Sequence, residues 1–138
     1  MELVVDTNVL ISALIKDSVT RKIIMHLQAK LYSPMFLQEE VEKYKADILR
    51  KANLNETEFK VLFEQIKSKI IFLEYPFFSS KYDEAEKIMN KIDPKDKPFI
   101  AAALATESDI WSDDAHFEKQ KKVKVWKTKD VAGLSYVS

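Results

Sequence analysis

Cysteine is absent from these 138 residues, glycine occurs once, at Gly133, and histidine only twice, at His26 and His116. Disulfides, thiolate zinc sites, iron–sulfur clusters and cysteine nucleophiles are therefore excluded. One glycine cannot build the glycine-rich turns of dinucleotide-binding folds, a phosphate-binding loop or the G-x-S-x-G elbow, each of which needs two or more. The two histidines lie too far apart for an H-E-x-x-H zinc site. An excess of either charge is missing as well: 22 Lys and Arg balance 22 Asp and Glu, so no global field draws the chain to nucleic acid or to a membrane surface. No apolar run approaches the roughly 18 residues that span a bilayer, and Met-Glu-Leu-Val-Val-Asp opens without a basic leader region, so a cytoplasmic protein without membrane attachment is expected. Carboxylates, hydroxyls and lysines are left to do any chemistry.

The length, with 46% hydrophobic residues, suits one compact domain over residues 1–138. Leu3, Val4 and Val5 form an apolar run without alternation, as in a central parallel strand covered on both faces. Helices are predicted over Asn8–Ile15 and Val19–Ala29, a second strand at Leu31–Ser33, and a long helix after Pro34 whose stripe is Phe36, Leu37, Val41, Tyr44 and Ile48. Asn55-Glu-Thr-Glu58 reads as a helix start, followed by Phe59, Leu62, Phe63 and Ile66 on one face. Ile70–Leu73 gives a third strand, Tyr82–Ile92 and Phe99–Thr106 two helices, Asp109–Ser112 a fourth strand, and Val123–Trp126 a fifth that alternates like an edge. Strands separated by helices predict an α/β fold, a parallel sheet with helices on both faces.

Acids recur at junctions of these elements: Asp6 after the first strand, Glu40 in the long helix, Asp96 at a helix start, and Asp113 and Asp114 after the fourth strand. Ligands bind beyond the carboxyl ends of strands in open α/β sheets, so Asp6 and Asp114 face one crevice if the first and fourth strands are neighbours. Glu40 falls among the buried stripe, where an ionised carboxylate costs several kcal/mol without a partner. It is preferred over Glu39, which points toward Lys43 at i+4 as a solvated pair. Taken singly, each Asp is better explained as a helix cap than as a ligand. Together they repel unless a cation sits among them, and oxygen ligands without Cys or His point to Mg²⁺ or Mn²⁺.

Val4-Val-Asp-Thr-Asn-Val-Leu-Ile, Ser33-Pro with the acid-bearing helix after it, Asp93-Pro-Lys-Asp-Lys-Pro-Phe-Ile-Ala-Ala-Ala-Leu and Ile110-Trp-Ser-Asp-Asp-Ala-His-Phe together resemble the PIN domain family, in order and over nearly the whole chain. The resemblance implies a three-layer α/β/α fold with a parallel five-stranded sheet of order 3-2-1-4-5, and endoribonuclease activity on single-stranded RNA. It implies that Asp6, Glu40, Asp96 and Asp114 are the four catalytic acids, with Asp6, Asp96 and Asp114 contacting Mg²⁺ or Mn²⁺ and Glu40 orienting water or completing a second metal site. Ser112 matches the hydroxyl of the family's Thr/Ser-x-Asp motif, Thr7 and Asn8 brace the site, Asp93 is auxiliary, and Asp113 stands where relatives carry Asn. Small stand-alone members are often VapC-like toxins, which implies an antitoxin partner and a homodimer.

The tail holds Lys119, Lys121, Lys122 and Lys124, then Lys127 and Lys129, against only Glu118 and Asp130. These lysines suit an RNA backbone, and equally an edge strand protected from further pairing. Trp111 and Trp126, at strand positions, read as core or interface, His26 as a packing or surface residue, and His116 as part of a helix start. Two other classes stay open: a catalytically silent module that binds RNA or protein, and aspartyl-phosphate transfer at Asp6. The second ordinarily needs Asp-x-Asp, where this chain has Asp6-Thr-Asn8.

Overall fold

The structure, a computed structural model, describes residues 1–15, 18–88 and 94–137. Its strands are β1 (Glu2–Val5), β2 (Lys30–Pro34), β3 (Ile70–Leu73), β4 (Asp109–Trp111) and β5 (Val125–Trp126). All pair parallel, in the order β3-β2-β1-β4-β5, as the resemblance implies. The helices are α1 (Thr7–Leu14), α2 (Val19–His26), α3 (Leu37–Lys43), α4 (Lys45–Ala52), α5 (Glu56–Lys67), α6 (Tyr75–Phe78), α7 (Tyr82–Ile88), α8 (Lys97–Thr106) and α9 (Thr128–Val137), with 3₁₀ turns at Ser79–Lys81 and Ala115–Lys119.

β1 is central because it can be covered on both faces, and Leu3, Val4 and Val5 are each 0% exposed. On one face α1 meets α2, α3, α4 and α5; on the other α8 crosses β1, β2 and β4 with α6 and α7 beside it. α8 is buried along Pro98, Phe99, Ile100, Ala101, Ala102 and Ala103, a helix apolar nearly all round, whose alanines let its backbone approach the sheet closely.

Local signals fix several helix starts. The Ser18 hydroxyl accepts from the Arg21 N–H at 3.2 Å. Asn55 and Glu58 form the reciprocal capping box read from the sequence, at 2.8 and 3.1 Å.

Several elements differ from expectation. The long helix after Pro34 is two, α3 and α4, joined at Tyr44 (φ −96°, ψ 6°). The bend lets both bury their apolar residues, Leu37 and Val41 from one, Ile48 and Ala52 from the other, while Tyr44 is 44% exposed. Pro34 itself ends β2. α2 stops at His26, which is exposed, and the part of the predicted Tyr82–Ile92 helix beyond Ile88 lies outside the described residues. The fifth strand contracts to Val125–Trp126. The chain before it turns on the buried Gln120 side chain, which donates to the carbonyls of Phe117 (2.9 Å) and Val123 (2.7 Å) and accepts from the Val123 N–H (2.8 Å). α6 and α9 are additions to the predicted elements; the Asp130 carboxylate accepting from the Lys127 N–H at 3.0 Å marks the start of α9.

With a single glycine, the chain ends helices α4 and α8 on Asn53 and Glu107, both at φ 54° in the left-handed region. Asn tolerates that conformation; Glu does not do so readily. Glu107 is exposed, so Glu107→Gly should stabilise the fold by about 1 kcal/mol, read as a higher urea midpoint with an unchanged slope; a lower midpoint would contradict the strain.

Candidate functional site

The site begins with the pairing of β1 and β4. Val5 stands opposite Trp111 in register, so Asp6 leaves one strand beside Ser112, Asp113 and Asp114 leaving the other. Asp6 is buried, 4% exposed, and both its oxygens are engaged. Oδ1 accepts from the Val9 N–H at 2.8 Å, capping α1, and Oδ2 accepts from the Ser112 hydroxyl. The same hydroxyl oxygen accepts from the Asp114 N–H at 3.0 Å. One serine thus ties the first acid to the fourth. From the neighbouring strand, Ser33 Oγ donates to the Val5 carbonyl at 2.9 Å and holds the end of β1 in place.

Burial pushes the Asp6 carboxyl up to about 6; the bonds from Ser112 and Val9 pull it down, and repulsion from Asp114 and Asp113 adds to the rise.

Asp114 caps the 3₁₀ turn after it, its Oδ1 accepting from the His116 N–H at 2.9 Å. Asp96 occupies the position before α8, yet its side chain makes no cap bond to that helix. The His116 imidazole joins the two: Nδ1 lies 3.4 Å from Asp114 Oδ1 and 3.9 Å from Asp96 Oδ2. One ligand atom each from Asp96, Asp114 and His116 falls within 4.8 Å of the others. His116 reads from the sequence as part of a helix start and not as a member of the cluster; its spacing two residues after Asp114 is the available signal, and the set is carboxylate plus imidazole rather than oxygen alone.

Asp6, Glu40, Asp96 and Asp114 line one cleft of about 150 Å³, with Thr7 and Asn8 beside Asp6. Phe36, Tyr44 and Phe99 supply its apolar wall and Lys95 a cation; none of these four stands out from the sequence as a site residue. A hollow of about 360 Å³ near α4 and α5 is larger, but there Lys45 pairs with Glu56 at 3.5 Å and Lys67 with Glu64 at 2.6 Å.

Glu40 reaches the cleft in a different way from the one expected. Its side chain is 25% exposed, and Lys43 Nζ lies 3.1 Å from Oε1. Burial therefore demands no cation at Glu40, and the expected Glu39–Lys43 pair is replaced by Glu40–Lys43, because the i,i+3 residue faces Lys43 here. Asp113 turns away from the cleft: its carboxylate accepts from the Thr128 N–H (2.8 Å) and hydroxyl (2.5 Å), anchoring α9. Asp93 lies outside the described residues.

Lys119, Lys121, Lys122 and Lys124 are exposed on the stretch that runs from the 3₁₀ turn after Asp114 to the edge strand β5. Lys124 Nζ sits 4.1 Å from the Trp126 ring centre, and Lys127 pairs with Glu118 at 3.2 Å. Trp111 is core, and its indole N–H donates to Thr128 Oγ1 at 3.0 Å.

The donor set suits a hard divalent cation, carboxylates predominating with one imidazole, which Mn²⁺ accepts more readily than Mg²⁺. The sign of the Asp6 shift gives a test. Its pKa in the fold exceeds the ordinary aspartate value of 3.8, so the metal-free folded state binds the extra proton, and this stability is lost as pH rises from about 4 through about 6. Between pH 4 and 7 the stability of Asp6→Asn relative to the parent should rise by up to about 3 kcal/mol. Adding Mn²⁺ at pH 7 should raise the parent's melting temperature more than the variant's. A pH-independent difference between the two would refute the buried charge.

Among curated proteins none matches this chain. Among solved structures, VapBC2 from Rickettsia felis, crystallised with a DNA fragment from its promoter, superposes with a TM-score of 0.64 at 12% identity, covering 92% of this chain and 98% of the other; that likeness is one of fold. A model of the PIN domain family matches residues 4–134, and with the sheet order and the acid cleft in place, the chain belongs to the PIN domain family.

Proposed function

We propose that this protein is a metal-dependent endoribonuclease that hydrolyses phosphodiester bonds of single-stranded RNA, and that it is the toxin of a VapBC-type toxin–antitoxin pair. The observation that carries the reading is convergence: Asp6, Glu40, Asp96 and Asp114, from four separate segments, line one cleft at the carboxyl end of the sheet. Membership of the PIN domain family supports nuclease chemistry. The fold shared with VapBC2 of Rickettsia felis supports the toxin assignment and, with it, an antitoxin partner. A homodimer completes the assembly. No helix among the described residues is long and apolar enough to cross a membrane.

Asp96, Asp114 and His116 would hold Mg²⁺ or Mn²⁺, with Asp6 beside them. Bound there, the cation supplies a water of lowered pKa and neutralises charge on the phosphate oxygens. The chain does the rest. Ser112 fixes Asp6 and Asp114 relative to each other, so two of the acids cannot drift apart under mutual repulsion. Glu40 accepts a hydrogen bond from the attacking water and orients it, while Lys43 pairs with its Oε1 at 3.1 Å and fixes its position. Thr7 and Asn8 shape the floor beside Asp6. Lys119, Lys121, Lys122 and Lys124 draw the RNA backbone toward the cleft, and their position directly after Asp114 favours this over edge protection alone.

The test is cleavage of a fluorescent single-stranded RNA by the purified chain. EDTA should abolish it and Mn²⁺ restore it, and Asp6→Asn, Asp96→Asn and Asp114→Asn should each lower kcat by at least about 100-fold, since even groups that merely brace metal ligands are worth about 10- to 100-fold. Metal binding without any turnover would point instead to a silent RNA- or protein-binding module, and cleavage surviving Asp6→Asn to a contaminant.

The lysines have their own readout. Replacing Lys119, Lys121 and Lys122 with Gln should flatten the dependence of log K for RNA on log salt by about 0.7 for each phosphate that is no longer neutralised. An unchanged slope would leave these lysines to edge protection.

A further inference from the structure

Beside the acid-lined cleft lies a second hollow of about 430 Å³ with aromatic walls. Phe36 and Lys95 line both, so the two hollows share a wall. The rest of the lining centres on Tyr75, Phe78 and Tyr82, in which Tyr75 packs edge to face on both partners: on Tyr82 at 5.5 Å and 83°, on Phe78 at 5.9 Å and 74°. Phe78 is buried and anchors the group, whereas Tyr75 is 58% exposed and Met35, at the rim, 40% exposed. Tyr75 stands on α6, a single turn with Pro76 in its first positions, so a rigid backbone presents a ring that contributes little to the core.

We propose that this trough is a nucleobase subsite, in which an unpaired base of the RNA strand stacks on the exposed ring of Tyr75, with the Tyr82 ring, set at 83° to it, against the base's edge, while the neighbouring phosphate lies at the acid-lined cleft. The inference rests on the nuclease reading and adds to it a contact that selects single strands. Unpaired bases are commonly recognised by stacking on exposed aromatic rings, because every base has a π-face and a duplex keeps its faces covered. The trough's volume is that of a small-ligand pocket rather than a protein-sized face. The phenol groups of Tyr75 and Tyr82 give it donors and acceptors suited to a base edge. Lys95, on the shared wall, places a positive charge between base and carboxylates, where the connecting backbone would pass. Continuity with the acid cleft is what separates this trough from an ordinary apolar patch: a strand whose phosphate is held at Asp96 and Asp114 has its adjacent base at this wall.

The experiment uses the full chain with Mn²⁺ and single-stranded hexaribonucleotides carrying 2-aminopurine at each position in turn, reading the fluorescence at the moment of mixing and then the cleavage rate. One position should be quenched on mixing. Tyr75→Ala and Tyr82→Ala should remove that quench and raise KM by roughly tenfold, within the range for losing one stacked base, with kcat little changed. Tyr75→Phe should keep both. Because Tyr75 is exposed, circular dichroism and melting temperature should be unaltered in Tyr75→Ala, which separates lost stacking from lost folding. Intact cleavage with quench and KM unmoved by the alanine variants would overturn the subsite and leave the nuclease standing. Quenching that depends on Tyr75 without any cleavage would do the reverse. A trough occupied by a second copy, seen as a dimer that Tyr75→Ala dissociates while RNA quenching stays intact, would also overturn it.

Discussion

Taking the Asp6 carboxylate out of water is the constraint on which the rest of this molecule turns. It is the one ionisable side chain that is buried among the described residues, and a buried charge left alone costs several kcal/mol. The fold meets that cost with a helix cap from Val9 and a hydroxyl from Ser112. Both partners depend on topology: Val9 is in place because α1 begins immediately after β1, and Ser112 because β4 lies against β1 in parallel register. A strand order that separated β1 from β4 would leave Asp6 with its cap alone. The site and the sheet are thus one construction. The proximity of Asp113 and Asp114 adds to the burial that works against ionisation of Asp6, and a cation in the cleft would offset both.

Composition explains how so crowded a region is reached without glycine. α8 must lie close to β1, β2 and β4 to bring Asp96 near Asp114, and Ala101, Ala102 and Ala103 give it a thin side while keeping helix propensity, which glycine would sacrifice. The chain accepts strain at the other end of the same helix, where Glu107 adopts a left-handed conformation. That residue takes no part in the cleft yet fixes where β4 begins: the Ser108 N–H bonds to the Ala103 carbonyl at 2.9 Å and leads directly into Asp109.

Much of this is legible in the sequence, for identifiable reasons. The unalternating Leu3-Val4-Val5 run announces a strand buried on both faces, and the Asn55–Glu58 spacing announces a capping box. Asp6, Asp96 and Asp114 are readable because each stands at an element boundary, where strand and helix patterns meet. What stays hidden depends on tertiary direction. Periodicity continues Phe36 to Ile48 as one helix, since a bend at Tyr44 changes no residue's polarity. It also places Glu40 in a buried stripe, when the bend opens that turn to solvent and to Lys43. His116 is marked only by its spacing two residues after Asp114, because its imidazole joins the acids through side-chain direction within a 3₁₀ turn, which carries no period. α9 escapes because its one local signal, the Asp130 carboxylate on the Lys127 N–H, is shared with a partner no local window contains, Asp113, fifteen residues upstream of Thr128.

Capping and the proposed ligation, which look like competing explanations for each acid, are compatible in geometry at two positions and separable at the third. Asp6 uses Oδ1 for the cap of α1, and Asp114 uses Oδ1 for the turn at His116; in each case the cap fixes the carboxylate's orientation toward the cleft. Asp96 has the capping position without the capping bond. Ser18 and Asn55, with extended backbones, do make that bond for their helices, whereas Asp96 stands at φ −88°, ψ −23°. The difference places Asp96 in the cleft with some loss of helix stability, which the positive end of the α8 dipole offsets by favouring its negative charge. The local rule fails at Asp96, where a carboxylate withheld from its helix stands beside Asp114 and His116, and local rules are broken most often where a scaffold serves a site, which is the reading proposed for this cleft.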